Sequence, residues 1–378
     1  MTQVIVKKLK QNSNYKVLVI PEFSSSPSGG ARSFFYKLLS IHKKNNISTA
    51  VLLEKYQADD VTITKCTDTG ASVSVIPNRD PGNRSYLFSL LSGIKNFYSV
   101  LMKYKPDVVV ISNKAPGMNF GIFLFPVRVV FFMHTYPHFR LPPLQNRITR
   151  LIGKYCITNK KKIITVSQYA SKKIATDMGV ALRSIGVIYN SYNIPVENDL
   201  IMQEPFVLTV GHVVQYKNPQ IWLKVAQTVI AQNESCRFIW VGEGDMLSFM
   251  RGEVNRLGLD NRITFLGFSD RVYDFYKKSS VYFQPSLIEN HSLCVVEAMG
   301  YGLPCVVSNV GGMPESVIDR ETGFLLDPDD VEGFSQKILL CLENPEVAKN
   351  LGRKGMARAK ELFSPELQEK KIIALYQK

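Results

Sequence analysis

The sequence predicts an α/β protein that contains two doubly wound parallel sheets. Three features support this prediction: short runs of β-branched and apolar residues recur along the chain, amphipathic helical patterns separate them, and one polar stretch interrupts the alternation near the middle. Apolar runs between helical patterns are typical of parallel strands with helices on both faces. The chain has 378 residues, which is more than one hydrophobic core usually organises and suits two domains.

The N-terminal half contains six candidate strands and four helical patterns. The strands lie at residues 15–22, 47–54, 107–112, 127–134, 162–167 and 184–190. The helical patterns lie at residues 29–45, 85–105, 143–159 and 168–178. The apolar run Phe120–His134 is shorter than a membrane-spanning helix needs and contains Pro126 and Arg128, so we interpret it as part of the buried sheet.

A second series of candidate strands follows a polar linker. The linker, at residues 190–205, contains two prolines and no periodic pattern. The strands after it lie at residues 206–211, 237–242, 262–267, 281–286 and 304–309. In open α/β sheets ligands bind beyond the carboxyl ends of the strands, and a cleft between two domains is a common place for an active site. We therefore expect the functional residues at the ends of strands.

The sequence indicates a cytoplasmic protein. Its first 16 residues are polar and basic and lack the apolar core of a secretory signal. The six cysteines include no CxxC pair and no spacing typical of zinc ligands, and Cys294 and Cys305 lie in apolar stretches where small buried residues are expected. Disulfides are not expected, in agreement with a reducing compartment.

Two glutamates stand near the start of one predicted helix, in the segment ENHSLCVVE. Glu289 follows the candidate strand 281–286, and Glu297 lies five residues into a helix for which Ser292 is a suitable N-cap. A helix advances about 1.5 Å per residue, so Glu297 lies roughly 7.5 Å along it. Between the two acids, exposed backbone N–H groups and the positive end of the helix dipole can bind an anion.

This order of groups matches a nucleotide sugar, which presents sugar hydroxyls, a diphosphate and ribose hydroxyls in sequence. Carboxylates accept hydrogen bonds from vicinal hydroxyls, and helix N-termini bind phosphate. The segment therefore predicts one acid for the sugar, amides for the diphosphate and one acid for the ribose. Two glutamates at this spacing also occur by chance, so the pair by itself is as weak as any short motif.

With its surroundings, the segment resembles the Glu-seven-Glu segment of the retaining glycosyltransferases of family 4. The similarity runs through ENHSLCVVEAMGYGLPCVVSNVGGMPE and extends over nearly the whole chain. SGGARSFF (28–35) resembles the family's N-terminal glycine loop, and VGHVVQYKNP (210–219) resembles its donor loop. VGEGDM (241–246), FLGF (265–268) and TGFLLDPDD (322–330) follow in the expected order.

The resemblance implies the GT-B architecture, in which two Rossmann-like domains face each other across a cleft. It implies an acceptor-binding domain over residues 1–193, a nucleotide-sugar-binding domain over residues 194–362, and a closing helix over residues 363–378 that crosses back to the first domain. The buried face of that helix is expected to contain Ile372, Ile373, Leu375 and Tyr376. The implied activity is retaining transfer of a hexose-type sugar from a nucleoside-diphosphate sugar to a hydroxyl of a glycan acceptor.

The resemblance also implies roles for residues of the second domain. Glu297 would bind the ribose of the donor, and Glu289 would bind the hydroxyls of its sugar. Ser292 and Leu293 would offer backbone amides to the diphosphate at the helix N-terminus. The leaving phosphate can take the acceptor proton, so no protein nucleophile is implied.

Lys217 matches the family lysine that neutralises the donor phosphates. Considered alone, a lysine in a surface loop is usually solvated. The family usually pairs this lysine with an arginine five positions earlier, where this chain has His212. A histidine is only partly charged near pH 7. Either His212 is protonated beside the diphosphate or another cation compensates.

Three residues of the first domain complete the implied site. Gly29 and Gly30 would lie beside the transferred sugar and diphosphate because glycine lets a backbone approach closely. A plain strand-to-helix turn explains them equally well from the local sequence. His134 matches the family histidine near the donor sugar, although a lone histidine at a strand end is also a common structural residue and His138 competes with it. Arg32 is expected to be an exposed helix arginine.

The sequence predicts no required metal and no cofactor beyond the donor substrate. No DxD-like pair ends a strand of the first domain, and the aspartate pairs at residues 59–60 and 329–330 are expected in solvated loops. Charge on the leaving group would be met by Lys217, amides and helix dipoles. Asn190 aligns with the asparagine that ends the family's last N-domain strand, where a turn residue is the simpler explanation. Ser167 is expected to be a helix N-cap without a chemical role.

The net charge of +14 belongs to the N-terminal half. Residues 1–200 contain 27 Lys and Arg against 10 Asp and Glu, a net of +17, and residues 201–378 contain 19 against 22, a net of −3. A basic half is attracted to lipid headgroups, nucleic acid or a phosphorylated substrate. Basic amphipathic stretches at residues 85–105 and 144–167 suit peripheral binding at an anionic inner leaflet, although core-facing helices with charged outer faces explain each one equally well.

The charge favours a lipid-linked acceptor, such as an undecaprenyl-diphosphate glycan or a lipopolysaccharide precursor, in bacterial cell-surface polysaccharide biosynthesis. Two other functions remain open. A nucleotide-sugar epimerase or a phosphorolytic enzyme would keep the fold, and the latter would need a lysine placed for pyridoxal phosphate, which no motif indicates. A nucleic-acid-binding protein would use the basic half, but no nucleic-acid module is recognisable and the paired glutamates would be unexplained.

Overall fold

The computed structural model describes residues 15–23, 30–76, 98–112, 122, 125–134, 160–192 and 206–377. Contacts divide this chain into two compact units. Unit 1 contains the residues up to Thr165, Ser171–Val187 and the residues from Ile372 onwards, and unit 2 contains Val166–Ala170 and Ile188–Lys371. Each unit contains one parallel sheet. The predicted domain boundary at residue 193 lies outside the described residues.

Unit 1 is built on a seven-stranded sheet. Its strands are β1 (Lys16–Ile20), β2 (Ser48–Glu54), β3 (Ser72–Ile76), β4 (Val108–Ser112), β5 (Arg128–Met133), β6 (Lys161–Thr165) and β7 (Ile185–Val187). They lie in the order β3-β2-β1-β4-β5-β6-β7, and every neighbouring pair is parallel. The order reverses between β1 and β4, which makes the sheet doubly wound.

The sequence patterns predict six of these seven strands. Val19, Val109 and Phe131 are fully buried at their centres, as continuous apolar runs in a parallel sheet require. Strand β3 is the exception. Its sequence SVSVI lies at the edge of the sheet and stays half-buried or exposed. An edge strand has a single neighbour and needs no continuous apolar run.

The described helices of unit 1 are α1 (Gly30–Lys44), α2 (Asp60–Asp68) and α3 (Gln168–Met178), and α3 begins in unit 2. Two of these three helices, α1 and α3, agree with the helical patterns, whereas α2 was not predicted. Residues 98–104 are helical as well, within the predicted helix 85–105, whereas the predicted helix 143–159 lies outside the described residues. The Ala170 N–H donates to Ser167 Oγ at 3.1 Å, so the expected N-cap role of Ser167 is confirmed.

The expectation that Arg32 is exposed is wrong. Its guanidinium is buried, lies 2.9 Å from the Asp59 carboxylate and stands 4.5 Å above the Phe23 ring. Asp59 was expected in a solvated loop, but it is the N-cap of α2 and accepts the Thr62 N–H at 2.7 Å. Burial acts to raise the pKa of Asp59, and the bonds from Thr62 and Arg32 outweigh it and lower that pKa. The arginine therefore joins α1 to α2.

Unit 2 is built on a six-stranded sheet. Its strands are β8 (Phe206–Val210), β9 (Arg237–Val241), β10 (Ile263–Gly267), β11 (Val281–Gln284), β12 (Cys305–Ser308) and β13 (Gly323–Leu326). They lie in the order β10-β9-β8-β11-β12-β13, with every neighbouring pair parallel. Five of them coincide with candidate strands of the sequence, and β13 lies in the segment TGFLLDPDD, which the family resemblance includes. The order reverses between β8 and β11.

Helices surround this sheet and follow it. They are α4 (Pro219–Gln232), α5 (Leu247–Arg256), α6 (Val272–Lys278), α7 (Leu293–Gly300), α8 (Met313–Ser316), α9 (Val331–Glu343), α10 (Pro345–Leu362) and α11 (Pro365–Gln377). Trp222 on α4 packs against Trp240 and Phe265, whose ring centroids lie 5.2 Å and 5.1 Å away. Among the residues that the structure describes, no helix combines the length and the apolar content needed to cross a membrane.

Helix α11 begins in unit 2 and ends in unit 1. Of its expected buried face, Ile372 and Tyr376 are fully buried, while Ile373 and Leu375 are half-buried. Within unit 1 the Tyr376 hydroxyl lies 2.9 Å from Nε2 of buried His42, and its carbonyl accepts from Arg128 Nη1 at 2.6 Å. Two specific polar contacts thus tie the end of the helix to unit 1.

Candidate functional site

The reversal of strand order in unit 2 places two loops at one edge of the sheet. The chain leaves β8 towards β9 and β10 and then returns to β11 on the other side of β8. The loops that follow β8 and β11 therefore start at neighbouring carboxyl ends, and the chain continues from them to opposite sides of the sheet. Open α/β sheets bind ligands at such a point. The first loop contains Lys217, and the second contains Glu289 and leads into α7.

Lys217 and Glu289 contact each other across the two loops. The Leu287 N–H donates to the Tyr216 carbonyl at 2.8 Å, which joins the backbones, and Lys217 Nζ forms an ion pair with Glu289 Oε1. The two side chains are only 12% and 10% exposed. Burial is the largest single influence and acts to lower the pKa of Lys217, but the charge and hydrogen bond of Glu289, together with Cys294 and Tyr216, outweigh it, so the pKa is raised. The site therefore contains a permanent cation.

A glycine pair packs directly against the backbone of the Glu289 loop. Gly312 donates its N–H to the Glu289 carbonyl at 3.0 Å. A Cβ on Gly311 would collide with that same carbonyl, and a Cβ on Gly312 would collide with the Asn290 carbonyl. Gly311 also has a φ of 55°, in the left-handed region that glycine tolerates. The glycines therefore let one backbone lie directly against another and fix the position of Glu289.

The loop after β8 rests on a second pair of glycines. A Cβ on Gly242 would collide with the Gly211 carbonyl, and a Cβ on Gly244 would collide with the backbone of Val213. The Val213 N–H donates to the Glu243 carbonyl at 2.8 Å. The motif VGEGDM therefore acts as a support for the loop that contains Lys217.

His212 lies half-buried in this loop, at the position of the family arginine. Burial lowers its pKa, the charge of Lys217 lowers it further, and Glu243 acts in the opposite direction. A lowered pKa favours the neutral imidazole at neutral pH. Lys217 rather than His212 therefore provides the positive charge of this loop.

Helix α7 starts beside the Lys217–Glu289 pair. Ser292 occupies its N-cap position, as predicted, but its side chain makes no capping hydrogen bond. The Ser292 hydroxyl instead donates to Gln284 Oε1 at 3.1 Å. Glu297 is buried one turn further along the helix, where its Oε2 accepts from the Tyr276 hydroxyl at 3.1 Å. Among the described residues, therefore, no side chain caps the N–H groups of the first turn of α7, which lies next to a cation and a carboxylate.

The remaining predicted residues belong to unit 1. His134 directly follows β5 at the carboxyl edge of the sheet, is buried, and lies 4.1 Å from the Phe34 ring by centroids. Gly30 is the first residue of α1, and a Cβ there would meet no atom of the described residues within 4 Å. Gly29 and His138 lie outside the described residues. Asn190, in unit 2, donates its side-chain amide to the His291 carbonyl at 3.1 Å.

A cavity of about 540 Å³ lies at the opposite edge of the unit 1 sheet. It is lined by residues at the amino ends of β1, β4, β5 and β6, with Lys105, Arg128 and Lys160 among them. None of the predicted site residues lines it. The two predicted residues of unit 1 that the structure describes, Gly30 and His134, instead follow the carboxyl ends of β1 and β5, where α/β sheets bind their ligands.

Gln284 and the backbone contacts of the two glycine pairs are features of the candidate site that sequence reasoning missed. The glycines were part of the recognised pattern, but their role is a backbone contact between distant loops. Gln284 ends an apolar strand, VYFQ, and a polar residue there resembles a strand terminus. The only feature of the sequence that pointed to Gln284 was its place directly after three apolar residues of a buried strand.

Two family models match the chain. The model for Glycosyltransferase Family 4 matches residues 29–194, and the model for Glycosyl transferases group 1 matches residues 192–358. The chain belongs to the family 4 glycosyltransferases. The family resemblance is therefore confirmed over residues 29–358, which include the carboxyl edges of both sheets.

Characterised and uncharacterised glycosyltransferases are similar to this glycosyltransferase. An uncharacterized glycosyltransferase of Haemophilus influenzae is 27% identical over 240 residues, which are 63% of this chain and 66% of that protein. The UDP-Gal:alpha-D-GlcNAc-diphosphoundecaprenol alpha-1,3-galactosyltransferase of Escherichia coli is 25% identical over 269 residues, 65% of this chain and 70% of that enzyme. The alignments thus span about two thirds of these relatives.

Solved structures confirm the fold of this glycosyltransferase. A glycosyltransferase from Rickettsia africae superposes with a TM-score of 0.80 at 17% identity and covers 97% of this chain and 98% of its own. Anabaena Alr3699/HepE in complex with UDP superposes with a TM-score of 0.76 at 20% identity and covers 96% and 99%. These likenesses show two Rossmann-like domains of the GT-B type.

Proposed function

We propose that this glycosyltransferase moves a hexose-type sugar from a nucleoside-diphosphate sugar to a hydroxyl group of a glycan acceptor, with retention of configuration. The observation that carries the proposal is the buried Lys217–Glu289 pair beside the start of α7. A cation, a carboxylate and an uncapped helix N-terminus at one switch point suit the diphosphate and the hydroxyls of such a donor.

The donor would lie along the line from Glu289 to Glu297. Sugar hydroxyls would donate to Glu289, and ribose hydroxyls would donate to Glu297, whose carboxylate Tyr276 holds in place. The diphosphate would accept from Lys217 and from the amides at Ser292 and Leu293. His134 would hydrogen-bond to the donor sugar, and Gly29 and Gly30 would allow the backbone to approach it.

The proposed reaction breaks the bond between C1 of the sugar and the diphosphate oxygen, and the electron pair of that bond goes to the diphosphate. The acceptor oxygen forms the new bond to C1 on the same face, and its proton passes to the leaving phosphate oxygen. Lys217 and the helix amides stabilise the charge that develops. The scheme requires neither a protein nucleophile nor a metal ion.

We infer that the acceptor is lipid-linked and that the protein works at the cytoplasmic face of the inner membrane. The net charge of +17 over residues 1–200 supports attraction to anionic headgroups. The Escherichia coli relative acts on a diphosphoundecaprenol-linked sugar by its name. The same name specifies UDP-Gal, and Anabaena Alr3699/HepE binds UDP, so a UDP-sugar is the first donor to test.

A thermal-shift screen of UDP, GDP, ADP and dTDP with their sugars tests donor binding. A ligand at about 100 times its Kd stabilises a protein by roughly 2.7 kcal/mol, so the matching nucleotide should raise Tm clearly. The selected donor is then incubated with lipid-linked and soluble glycan acceptors, and NMR of the product reports the anomeric configuration. Failure of every donor to raise Tm, or an inverted product, would contradict the proposal. Free epimerised sugar would favour the epimerase instead.

A further inference from the structure

Gln284 is a buried amide at the end of β11, with an exposed fraction of 1%. A primary amide in such a position is costly unless its polar atoms find partners. Its neighbours on the strand, Tyr282 and Phe283, are also fully buried. The side chain lies between the Glu289 loop and the start of α7, where an apolar residue would have filled the space without that cost.

All hydrogen-bonding capacity of this amide is used. Gln284 Nε2 donates to Glu289 Oε1 at 2.7 Å and to Ser286 Oγ at 3.1 Å. Its Oε1 accepts from the Tyr282 hydroxyl at 2.8 Å and from the Ser292 hydroxyl at 3.1 Å. A glutamine amide offers two donor hydrogens and two acceptor lone pairs. The orientation is unambiguous because the Glu289 carboxylate only accepts.

The first consequence concerns Glu289. Its Oε1 accepts from Lys217, from Gln284 and from Ser286, the last at 3.1 Å. Three donors saturate that oxygen and fix the plane of the carboxylate. Within the part of the chain that the structure describes, no hydrogen bond reaches Oε2, which is therefore the atom available to a ligand hydroxyl.

The second consequence concerns α7. A serine at an N-cap position normally accepts a hydrogen bond from the N–H groups of the first turn. The Ser292 hydroxyl instead donates to Gln284 Oε1, and its oxygen caps no N–H of α7. The same amide therefore orients the carboxylate and holds the N-cap side chain in a position in which it does not cap the helix.

We propose that Gln284 is a positioning residue that holds Glu289 and the N-terminus of α7 ready for the two ends of the sugar-diphosphate bond. The inference rests on the proposed function, since it assumes that Glu289 binds sugar hydroxyls and that α7 binds the diphosphate. It goes beyond that function because Gln284 acts through both groups and touches neither the sugar nor the phosphate.

Three variants test the proposal. Gln284→Met keeps the length of the side chain and removes both polar ends. Gln284→Glu places a second carboxyl group beside Glu289. Thr209→Val is the matched control, because buried Thr209 accepts from Trp222 Nε1 at 2.6 Å in the same unit and its loss also leaves a buried donor unpaired. Each variant is tested with the donor that stabilises the wild type most among the UDP, GDP, ADP and dTDP sugars.

Gln284→Met should lower kcat by about 100-fold, the usual effect of a small misplacement of a catalytic group, with a much smaller change in the affinity for the nucleotide without its sugar. Thr209→Val should lose comparable Tm and retain the kcat of the wild type. If Gln284→Met also keeps the wild-type kcat and KM, the proposal is overturned.

Gln284→Glu should introduce a pH dependence. Two carboxyl groups at hydrogen-bond distance share one proton, so the apparent pKa of the pair rises. The protonated acid can donate to Glu289 as the amide does, so kcat should be near wild type at about pH 5.5 and should fall roughly tenfold or more towards pH 8. A merely structural role would lower Tm without producing this profile.

The other titratable groups around the pair are the same in the wild type and in Thr209→Val, so any pH dependence that they produce appears in these references as well. These groups are Tyr216 and Lys217 after β8, Tyr276 on α6, Tyr282 on β11, and Cys294 and Glu297 on α7. Burial raises the pKa of Cys294 to about 12 and raises those of the tyrosines. His212 titrates at lower pH, but it does so equally in the wild type and in Thr209→Val, which serve as references.

The results separate the two proposals. A wild type that binds no nucleotide sugar overturns the proposed function and this inference together. If the wild type binds and transfers the sugar, and both Gln284 variants keep its kcat and show a flat pH profile, the inference alone is overturned.

Discussion

Lys217 and Glu289 stand on different loops of one sheet and form an ion pair in which both side chains are nearly buried. The pair links the two strands, β8 and β11, between which the strand order reverses. A diphosphate that approaches Lys217 competes for the same ammonium group that holds Glu289. Donor binding is therefore expected to redistribute hydrogen bonds that already exist rather than to create a site from separated groups.

Lys217→Met should lower transfer by roughly 100-fold or more, because the leaving diphosphate loses its cation. It should also lower the free energy of unfolding by about 3 kcal/mol, since Glu289 is left with an unpaired buried charge. The double variant Lys217→Met/Glu289→Gln should recover most of the stability and none of the activity. Urea unfolding and initial rates measure the two effects. Wild-type transfer rates in Lys217→Ala and Glu289→Ala would refute the assignment.

Gly311→Ala should destabilise the protein by about 2–4 kcal/mol. The new Cβ would collide with the Glu289 carbonyl, and a φ of 55° is strained for alanine. Gly252→Ala on α5 is the control, because a Cβ there meets no atom within 4 Å and should stabilise the helix by about 0.5–1 kcal/mol. Denaturant unfolding of both variants gives the comparison, and equal effects would show that Gly311 does not require glycine.

His291 should make the protein acid-sensitive. Its ring packs against Tyr189 and Phe363, neither ring nitrogen bonds to another described residue, and burial lowers its pKa to about 3. In the unfolded chain this histidine binds a proton near pH 6.5, whereas in the native state the buried ring stays neutral at that pH. The free energy of unfolding therefore falls as the pH drops below 6.5.

The loss should be about 2 kcal/mol between pH 6.5 and pH 5 for this residue. His291→Phe removes the titration and keeps an aromatic ring. Its unfolding free energy should therefore exceed that of the wild type by a margin that grows as pH falls. His42, whose pKa is also lowered to about 3 by burial, adds the same effect to both proteins. A margin that is independent of pH would contradict the assignment.

His212→Arg should tighten nucleoside-diphosphate binding at pH 8 by roughly tenfold, or about 1.4 kcal/mol, because it supplies a permanent charge where the wild type has a neutral imidazole. The wild type should gain affinity as the pH falls, since protonated His212 attracts the diphosphate. The arginine variant should show a flatter pH dependence. Calorimetry with UDP over pH 5.5–8 compares the two proteins, with His212→Gln as the uncharged control.

The protein should bind vesicles that contain anionic lipid and should not bind zwitterionic vesicles. The attraction arises from the excess of positive charge over residues 1–200, so it should weaken strongly between 50 mM and 300 mM salt. Co-sedimentation measures the bound fraction. Binding that is absent with anionic vesicles at low salt would argue against a membrane-linked acceptor.

The fold was largely predictable because it rests on local patterns. Every described strand except β3 coincides with a β-branched or apolar run, since a strand covered on both faces must be apolar throughout. The edge strand β3 was not predicted because its sequence SVSVI alternates with serine and its residues are only half-buried or exposed. Arg32 was misjudged because its partner Asp59 is on another helix, and a sequence does not show which charged residues meet in space.

The sequence predicts which residues lie at the candidate site, but it does not predict which of them contact each other. Lys217, Glu289 and Ser292 were identified through motif resemblance, and the fold brings all three to one edge of unit 2. The ion pair, the glycine contacts and the Gln284 network join segments that are up to 72 positions apart. Such contacts depend on backbone geometry at distances of a few ångströms, which residue types and spacing do not specify.

The strand order of unit 2 has a consequence for how this enzyme could diversify. Lys217, Gln284, Glu289 and Glu297 all come from one continuous stretch of chain, between β8 and β12. The proposed recognition of the nucleotide could therefore be inherited as a single segment of the gene while the other sheet accumulates changes. A chimera that joins this stretch to the N-terminal sheet of a relative should keep its own nucleotide preference and adopt the foreign acceptor.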